Sequence, residues 1–240
     1  EEQALLKKMF SRIESLVEYA STLGVRLMID AEHSYFQAAI DAFCIDMMRR
    51  YNRKNPIVFN TYQCYLKDAP RKLDEHIRMS EEEGWIFAAK LVRGAYMQLE
   101  RDHAKKCKRE SPIHDTIEDT HECYNSCVNR VITRQKVTEK SELPNVLIAS
   151  HNQQSIELTL QIMQEHQLDG QNSNIFFGQL LGMSDHLTFC LGAAGYKAYK
   201  YVPYGPVHEV MPYLLRRVQE NSSMVSDTAD QRRMLRRELS

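Results

Sequence analysis

The 240-residue sequence predicts an α/β fold with a parallel sheet, and its pattern favours a barrel over an open sheet. Short apolar runs alternate with amphipathic segments along the chain, and no hairpin signal separates any two runs. An open dinucleotide-binding sheet would carry a glycine-rich phosphate turn after an early strand, whereas the nine glycines here form no such cluster. Polar residues instead follow many different strands, which is typical of a barrel with its site at the strands' carboxyl ends.

The first half of the chain reads as a helix followed by strand–helix units. Apolar residues recur at helical spacing up to Leu23, and Gly24 is a suitable helix stop. The apolar runs that follow lead into Asp30, into Asn60 and into the segment Lys90–Tyr96. The predicted helices are 4–23, 36–50 and 70–83, and the predicted strands are 25–29, 56–59 and 85–92.

The second half repeats this alternation between two polar stretches. The charge-rich stretch 98–112 predicts a long loop or a surface excursion, and the polar stretch 133–145 predicts a loop. Pro212 predicts either a bend in the last helix or a limit on its first turns. The predicted helices are 114–131, 155–166, 185–191 and 207–218, and the predicted strands are 146–149, 174–177 and 196–202. These make six strands in a single domain, whereas an eight-stranded barrel needs two more.

Composition excludes several classes of function. The formal net charge is −1, so the sequence lacks the basic excess of a nucleic-acid-binding domain. Its longest apolar runs are no longer than strands, which predicts no membrane span. The six cysteines form no disulfide framework, and this usage predicts a reducing compartment.

A group of histidines and cysteines between His103 and Cys127 raises the question of a metal site. Their spacings match no common structural zinc pattern. Cys123 and Cys127 are four residues apart, so we expect them to line the apolar face of a helix. We therefore predict no metal site.

The segment Lys90–Tyr96 has two interpretations on residue types alone. A cation, a glycine and an aromatic residue at one strand end suit a ligand lying across that end. The alternative is a salt-bridged lysine followed by an ordinary turn glycine. Asp30 also follows an apolar run, and such a partly buried carboxylate needs a partner.

The roles of two other groups of residues also stay open on residue types alone. Arg216, Arg217 and Glu220 form either a solvated charged face or a clamp for an anion, because paired guanidinium groups hold a carboxylate bidentately. His151, within Ser150–Asn152, could be a general base, a ligand contact or a structural residue.

Seven motifs follow one another along almost the whole chain. They are Asp30–Glu32, Asn60–Gln63, Lys90–Tyr96, Ser150–Asn152, Gly178–Met183, Tyr201–Gly205 and Tyr213–Asn221. Each motif alone is weak, but the ordered set is specific. Together they resemble the flavin-dependent proline dehydrogenase family, and specifically its mitochondrial eukaryotic branch.

This resemblance implies a distorted (β/α)8 TIM-like barrel that holds FAD, formed by residues 1–240 without the first two strands. A second chain or an N-terminal segment is expected to supply those strands, and this chain alone is expected to bind FAD poorly. The implied reaction is oxidation of L-proline to Δ1-pyrroline-5-carboxylate, with hydride transfer to flavin N5. The implied electron acceptor is ubiquinone, at the matrix side of the inner mitochondrial membrane.

The resemblance also assigns roles to individual residues. It implies that Arg216 and Arg217 bind the substrate carboxylate, that Glu220 holds these arginines, and that Asp30 belongs to the polar network under the site. The substrate ring is expected to pack against Tyr96, Leu180 and Tyr201. The flavin contacts are expected from Asn60, Lys90, Val92, Gly94, Ala95, Ser150, His151 and Asn152.

Two alternative functions stay open. One is a hydroxyproline dehydrogenase, in which we expect a residue smaller than Tyr201 at that position, leaving room for the ring hydroxyl. The other is a non-catalytic barrel fragment that acts in assembly or regulation. A flavin absorbance that proline bleaches would separate an enzyme from a scaffold.

Overall fold

The computed structural model describes residues 2–134 and 145–221, and it describes side chains for residues 3–133 and 145–215. These residues form a curled parallel sheet with helices on its outer side. The six strands pair in chain order, each with its sequence neighbours. They are β1 (Leu27–Ile29), β2 (Val58–Gln63), β3 (Ala88–Val92), β4 (Asn145–Ala149), β5 (Asn174–Leu180) and β6 (Lys197–Tyr201).

Helices connect consecutive strands, as parallel pairing requires. Eight helices lie in the described ranges. They are α1 (Glu2–Leu23), α2 (Ser34–Tyr51), α3 (Ala69–Glu83), α4 (Met97–Lys106), α5 (Ile117–Arg134), α6 (Gln153–Glu165), α7 (Asp185–Ala193) and α8 (Val207–Asn221). The predicted parallel α/β fold of barrel type is confirmed as a six-stranded, half-barrel sheet.

Alternation of side chains across the sheet divides the core into two layers. The larger layer lies between the sheet and the helices and contains Val58, Tyr62 and Phe177. The smaller layer lines the inside of the curl and consists of Phe59, Ala88, Leu147 and Phe176, with Met28 and Ala149 packed against it. Adjacent residues such as Phe176 and Phe177 therefore pack into opposite layers. Burial of each phenylalanine side chain contributes about 1.5–3 kcal/mol to the free energy of unfolding.

The prediction of a loop at 98–112 is wrong over its first half, where α4 forms. Only Glu100 and Ala104 of this helix are buried, and they are four residues apart on one face. A helix with so narrow a buried face and so many charges has no apolar stripe that the sequence pattern would show. Of the polar stretch 133–145, residues 135–144 lie outside the described residues.

The predicted apolar face of α5 is confirmed. Cys123 and Cys127 are 7% and 0% exposed and belong to the outer core layer. Among the residues that the structure describes, no group of three or more His, Cys, Asp or Glu side chains is placed to hold a metal ion. Within the same ranges, no helix has the length and apolar character needed to cross a membrane.

Candidate active site

The carboxyl ends of the parallel strands meet at one edge of the sheet. The register aligns Ile29 with Asn60, Gln63 with Val92, and Leu180 with Tyr201. Residues at or just beyond these strand ends therefore surround one opening of the curl, where barrel enzymes place their sites. They are Asp30, Gln63, Arg93, Ser150, Leu180 and Tyr201.

Lys90 joins three of the strands across this opening. Its ammonium lies 2.6 Å from Asp30 Oδ1, and its side chain is 15% exposed whereas that of Asp30 is 61% exposed. The same ammonium lies 5.9 Å from the ring centroid of Tyr201, within the range of a cation–π contact. The structure thus brings together three residues that the resemblance assigns to one site, from β3, the end of β1 and the end of β6.

Helix α8 reaches the site through an aromatic contact. The rings of Tyr201 and Tyr213 lie 5.9 Å apart at 46°. Arg216 and Arg217 follow Tyr213 by three and four residues in the same helix. Their side chains and that of Glu220 lie outside the described residues, so the expected carboxylate clamp stays a prediction.

Strand β2 presents Gln63, rather than Asn60, to the opening. Asn60 is completely buried, and its amide donates to Asp41 Oδ1 of α2 at 3.0 Å, on the helix side of the sheet. Gln63 lies three positions further on and therefore has the opposite parity. Its amide donates to the Glu32 carbonyl oxygen at 2.8 Å, near the end of β1. The expected flavin contact of Asn60 stays a prediction, and its side chain already has a partner in the outer layer.

Arg93 is a half-buried cation, and the groups to which it donates hydrogen bonds are all uncharged acceptors. Its guanidinium donates to His121 Nδ1 at 2.9 Å and to the hydroxyl oxygens of Ser150 and Ser155, each at 2.8 Å. It also lies 4.3 Å above the ring of Tyr124. Burial lowers the pKa of Arg93, as expected for a desolvated cation.

No carboxylate forms an ion pair with Arg93 among the described side chains. This makes it a candidate for binding an anion at the end of β3. Sequence reasoning assigned Arg93 no role, although a charge directly after a buried strand was a usable signal.

His151 links the ends of β4 and β5. The backbone N–H of Leu180 donates to His151 Nε2 at 3.0 Å, so the neutral ring carries its proton on Nδ1. Burial, followed by the charges of Lys200 and Arg93, lowers the pKa of His151 to about 4. The ring is therefore neutral at physiological pH and can donate one hydrogen bond from Nδ1.

The neighbours of His151 have structural partners. Asn152 caps α6, because its side-chain oxygen accepts from the backbone N–H of Ser155 at 2.9 Å. The hydroxyl oxygen of Ser150 accepts from Arg93 and from the backbone N–H of Asn152. Ser150 therefore couples the cation of Arg93 to the N-terminus of α6, which itself favours an anion.

The turn after β3 has little freedom. Gly94 has φ +132°, and a Cβ at this position would lie 2.5 Å from the ring of Tyr65. The carbonyl oxygen of Val92 already accepts from the backbone N–H of Cys64 at 2.8 Å. Ala95 and Tyr96 are half-buried, and Tyr96 is the residue that precedes α4. The structure itself thus requires the glycine, and the expected flavin contacts of Val92, Gly94 and Ala95 stay predictions.

Comparison with known proteins identifies relatives along the whole chain. A sequence profile of the family described as proline dehydrogenase matches residues 1–230. The human protein named proline dehydrogenase 1, mitochondrial, is 45% identical over 239 residues, covering 100% of this chain and 39% of that protein. The Drosophila melanogaster protein of the same name is 41% identical over 242 residues, covering 99% of this chain and 36% of that protein.

A Xenopus laevis protein named hydroxyproline dehydrogenase is also similar. It is 37% identical over 238 residues, covering 99% of this chain and 51% of that protein. The chain thus spans less than two-fifths of the length of the human and fly relatives and about half of the frog protein.

Solved structures share the fold. Proline utilization A from Bdellovibrio bacteriovorus, inactivated by N-propargylglycine, superposes with a TM-score of 0.80 at 20% identity, covering 90% of this chain and 22% of that one. A mutant of proline utilization A from Bradyrhizobium japonicum superposes with a TM-score of 0.77 at 19% identity, covering 92% and 22%. At these identities the likeness concerns the fold alone.

Proposed function

This chain belongs to the proline dehydrogenase family, and on that premise we propose that it forms the FAD-binding, catalytic part of an enzyme that oxidises L-proline to Δ1-pyrroline-5-carboxylate. The observation that carries the proposal is the contact of Lys90 with both Asp30 and Tyr201. These residues come from three strands, and each matches a family motif. A charged group held between a carboxylate and an aromatic ring suits a site that orients a small polar substrate.

The residues around β3 and β4 fit a dinucleotide cofactor. Arg93 is a half-buried cation without a carboxylate partner among the described side chains, and it lies beside the N-terminus of α6. Both features favour a phosphate group. When bound, FAD would supply the hydride acceptor at its N5 atom. Arg93, Ser150, His151 and Gln63 are the side chains that we expect to hold it, with Gln63 in the role first expected of Asn60.

The substrate would lie between Lys90 and the apolar groups of Leu180 and Tyr201. Oxidation removes a hydride from the ring carbon beside nitrogen and a proton from nitrogen, so the protein's task is mainly to hold the ring in one orientation. Tyr96 would complete the aromatic wall. Helix α8 would bring Arg216 and Arg217 to the substrate carboxylate, with Glu220 holding them in place.

The relatives' names support the proposed location, and the family resemblance alone supports the proposed electron acceptor. The human and fly proteins are named as mitochondrial. We therefore propose a mitochondrial enzyme that passes electrons from its reduced cofactor to ubiquinone at the matrix side of the inner membrane. The full reaction belongs to the whole protein, of which this chain matches about two-fifths in the human relative.

Flavin absorbance tests the proposal directly. The purified whole protein, of which this chain forms part, should when loaded with FAD lose its absorbance near 450 nm on anaerobic addition of L-proline and recover it on addition of a soluble ubiquinone. D-proline is the control, because the carboxylate clamp should reject this enantiomer. A spectrum that L-proline leaves unchanged would refute the enzymatic reading and favour a non-catalytic barrel.

Hydroxyproline oxidation is a second candidate, because the frog hydroxyproline dehydrogenase is 37% identical. Tyr201 at the end of β6 argues for proline, since its ring would occupy the space that a ring hydroxyl needs. The ratio of kcat/KM for L-proline to that for trans-4-hydroxy-L-proline distinguishes the two enzymes.

A further inference from the structure

The start of α2 and helix α4 meet along three consecutive contacts. The His33 and Tyr96 rings lie 4.2 Å apart, and the Tyr35 and His103 rings lie 4.6 Å apart. Between these pairs, the Glu100 carboxylate accepts from the backbone N–H of Ser34 at 2.5 Å and from its hydroxyl at 2.6 Å. Residues 96, 100 and 103 are four and three positions apart, so all three contacts lie on one side of α4, the first of them made by the residue that precedes the helix.

Glu100 is the buried centre of this junction, with 1% of its surface exposed. A carboxylate at such a depth is costly unless hydrogen bonds satisfy it. Ser34 supplies two, one to each oxygen, and Ser34 is the first residue of α2. The positive end of that helix dipole stabilises the anion further. The junction is therefore a specific polar contact rather than incidental packing.

The contact between Glu100 and Ser34 fixes the His33 and Tyr96 rings relative to each other. Glu100 lies one helical turn after Tyr96, and its backbone N–H donates to the Tyr96 carbonyl oxygen at 2.9 Å. Ser34 directly follows His33, whose ring packs against Tyr96. The two hydrogen bonds that Ser34 donates to Glu100 thus fix both the turn that carries Tyr96 and the loop that carries the His33 ring beside it.

We infer that Glu100 is a positioning residue for Tyr96. By joining α4 to the N-terminus of α2, Glu100 holds the Tyr96 ring against the substrate ring. This inference rests on the proposed function, in which Tyr96 forms part of the substrate wall. Glu100 itself contacts neither the substrate nor the cofactor in this assignment. Its effect would reach the reaction only through the placement of the tyrosine ring.

Two substitutions of Glu100 test this role in the FAD-loaded protein. Glu100→Ala removes both hydrogen bonds, and because a shift of about 1 Å can cost up to about 100-fold in rate, we expect KM for L-proline to rise about tenfold or more. Glu100→Gln can accept from the Ser34 N–H and donate to its hydroxyl, so it should restore KM to within about threefold of the wild-type value. FAD affinity and the thermal midpoint are measured for both variants.

A double-variant cycle separates positioning from general destabilisation. In a Tyr96→Ala background, Glu100→Ala should raise KM by less than about twofold, because the ring that it positions is gone. Gln98→Ala, at an exposed site on the same helix, is the matched control and should leave KM unchanged.

The inference is overturned if Glu100→Ala leaves KM unchanged, or if it raises KM equally with and without the Tyr96 ring. If L-proline does not reduce the flavin of the wild-type protein, the proposed function and this inference are both refuted. Normal reduction in the wild type, together with an unaffected Glu100→Ala variant, refutes the inference alone.

Discussion

The ammonium group of Lys90 lies 2.6 Å from Asp30 Oδ1, which joins the third strand of the sheet to the end of the first. Sixty residues separate the two partners in the chain. The lysine fits both interpretations of its position, because it pairs with a carboxylate and also faces the opening of the curl, where Tyr201 contacts it. An ion pair and a ligand site are therefore compatible at this position.

Asp30→Asn should impair activity more than stability. Asp30 is well exposed, so losing its charge should change the free energy of unfolding by less than about 1 kcal/mol. The loss of orientation at Lys90 should lower kcat/KM for L-proline at least about tenfold. Glu110→Gln, which removes the charge from the surface pair with Lys67, is the control. Equal kinetics in Asp30→Asn and the wild type would contradict the role of this pair.

Tyr201→Ser should shift the substrate preference toward trans-4-hydroxy-L-proline. Removing the ring opens space at the end of β6, and a pocket change of this kind is worth about 1–3 kcal/mol, or roughly 10- to 100-fold in the ratio of the two kcat/KM values. The measurement is the ratio itself, since both absolute values should fall. Tyr199→Ser, also at an exposed tyrosine of β6, serves as the comparison. An unchanged ratio would remove Tyr201 from the specificity argument.

Arg93→Met should weaken the binding of FAD without changing the affinity for riboflavin. Removing a charge-assisted hydrogen bond to a phosphate costs about 1.5–3 kcal/mol, which is roughly 10- to 100-fold in Kd. Riboflavin has no phosphate, so its fluorescence titration should give the same affinity for both proteins. Arg53→Met removes an exposed guanidinium that binds the carbonyl groups of Glu83 and Gly84, and it should change neither affinity. Parallel losses for FAD and riboflavin would contradict a phosphate contact.

Stability should depend on pH through His151. Its folded-state pKa of about 4 lies below the ordinary value of 6.5. Between these values the unfolded chain binds a proton that the folded chain does not, so the free energy of unfolding falls as the pH drops from about 6.5 to about 4. The contribution of this one group is at most about 3 kcal/mol.

His151→Gln isolates that contribution, because its amide oxygen can still accept from the Leu180 N–H. Denaturant titrations between pH 4.5 and 7.5 should show a shallower slope in the variant than in the wild type. His208→Gln, at an exposed position on α8, should keep the wild-type slope. A slope that His151→Gln leaves unchanged would assign the pH dependence to other groups.

Gly94→Ala should destabilise the fold more than Gly24→Ala. Both glycines have positive φ, at +132° and +66°, but a Cβ on Gly94 would strike the buried ring of Tyr65 whereas nothing lies within 4 Å of one on Gly24. Backbone strain alone costs about 1–2 kcal/mol, and the clash should bring Gly94→Ala to about 3–5 kcal/mol. Urea denaturation of the two variants measures the difference, and equal losses would rule out the clash.

The sequence by itself determined the order of the six strands and of every described helix except α4, and it indicated the edge on which the candidate site lies. Apolar runs long enough to be buried recur between amphipathic segments, and parallel strands must place all their carboxyl ends on one side. Asp30, Lys90 and Tyr201 could therefore be assigned to one opening before any contact was known. The motifs that carry the family resemblance lie at the same strand ends.

Tertiary structure alone decided which side chain faces which layer and which partner it finds. A strand side chain changes face with every residue, so only the structure showed that Gln63 faces the opening while Asn60 faces the outer layer. Nothing in the charge-rich stretch around Glu100 indicated that this residue is buried, because its burial depends on Ser34, sixty-six residues away. Such contacts depend on how whole elements pack, and that packing is a property of the folded chain rather than of any local pattern.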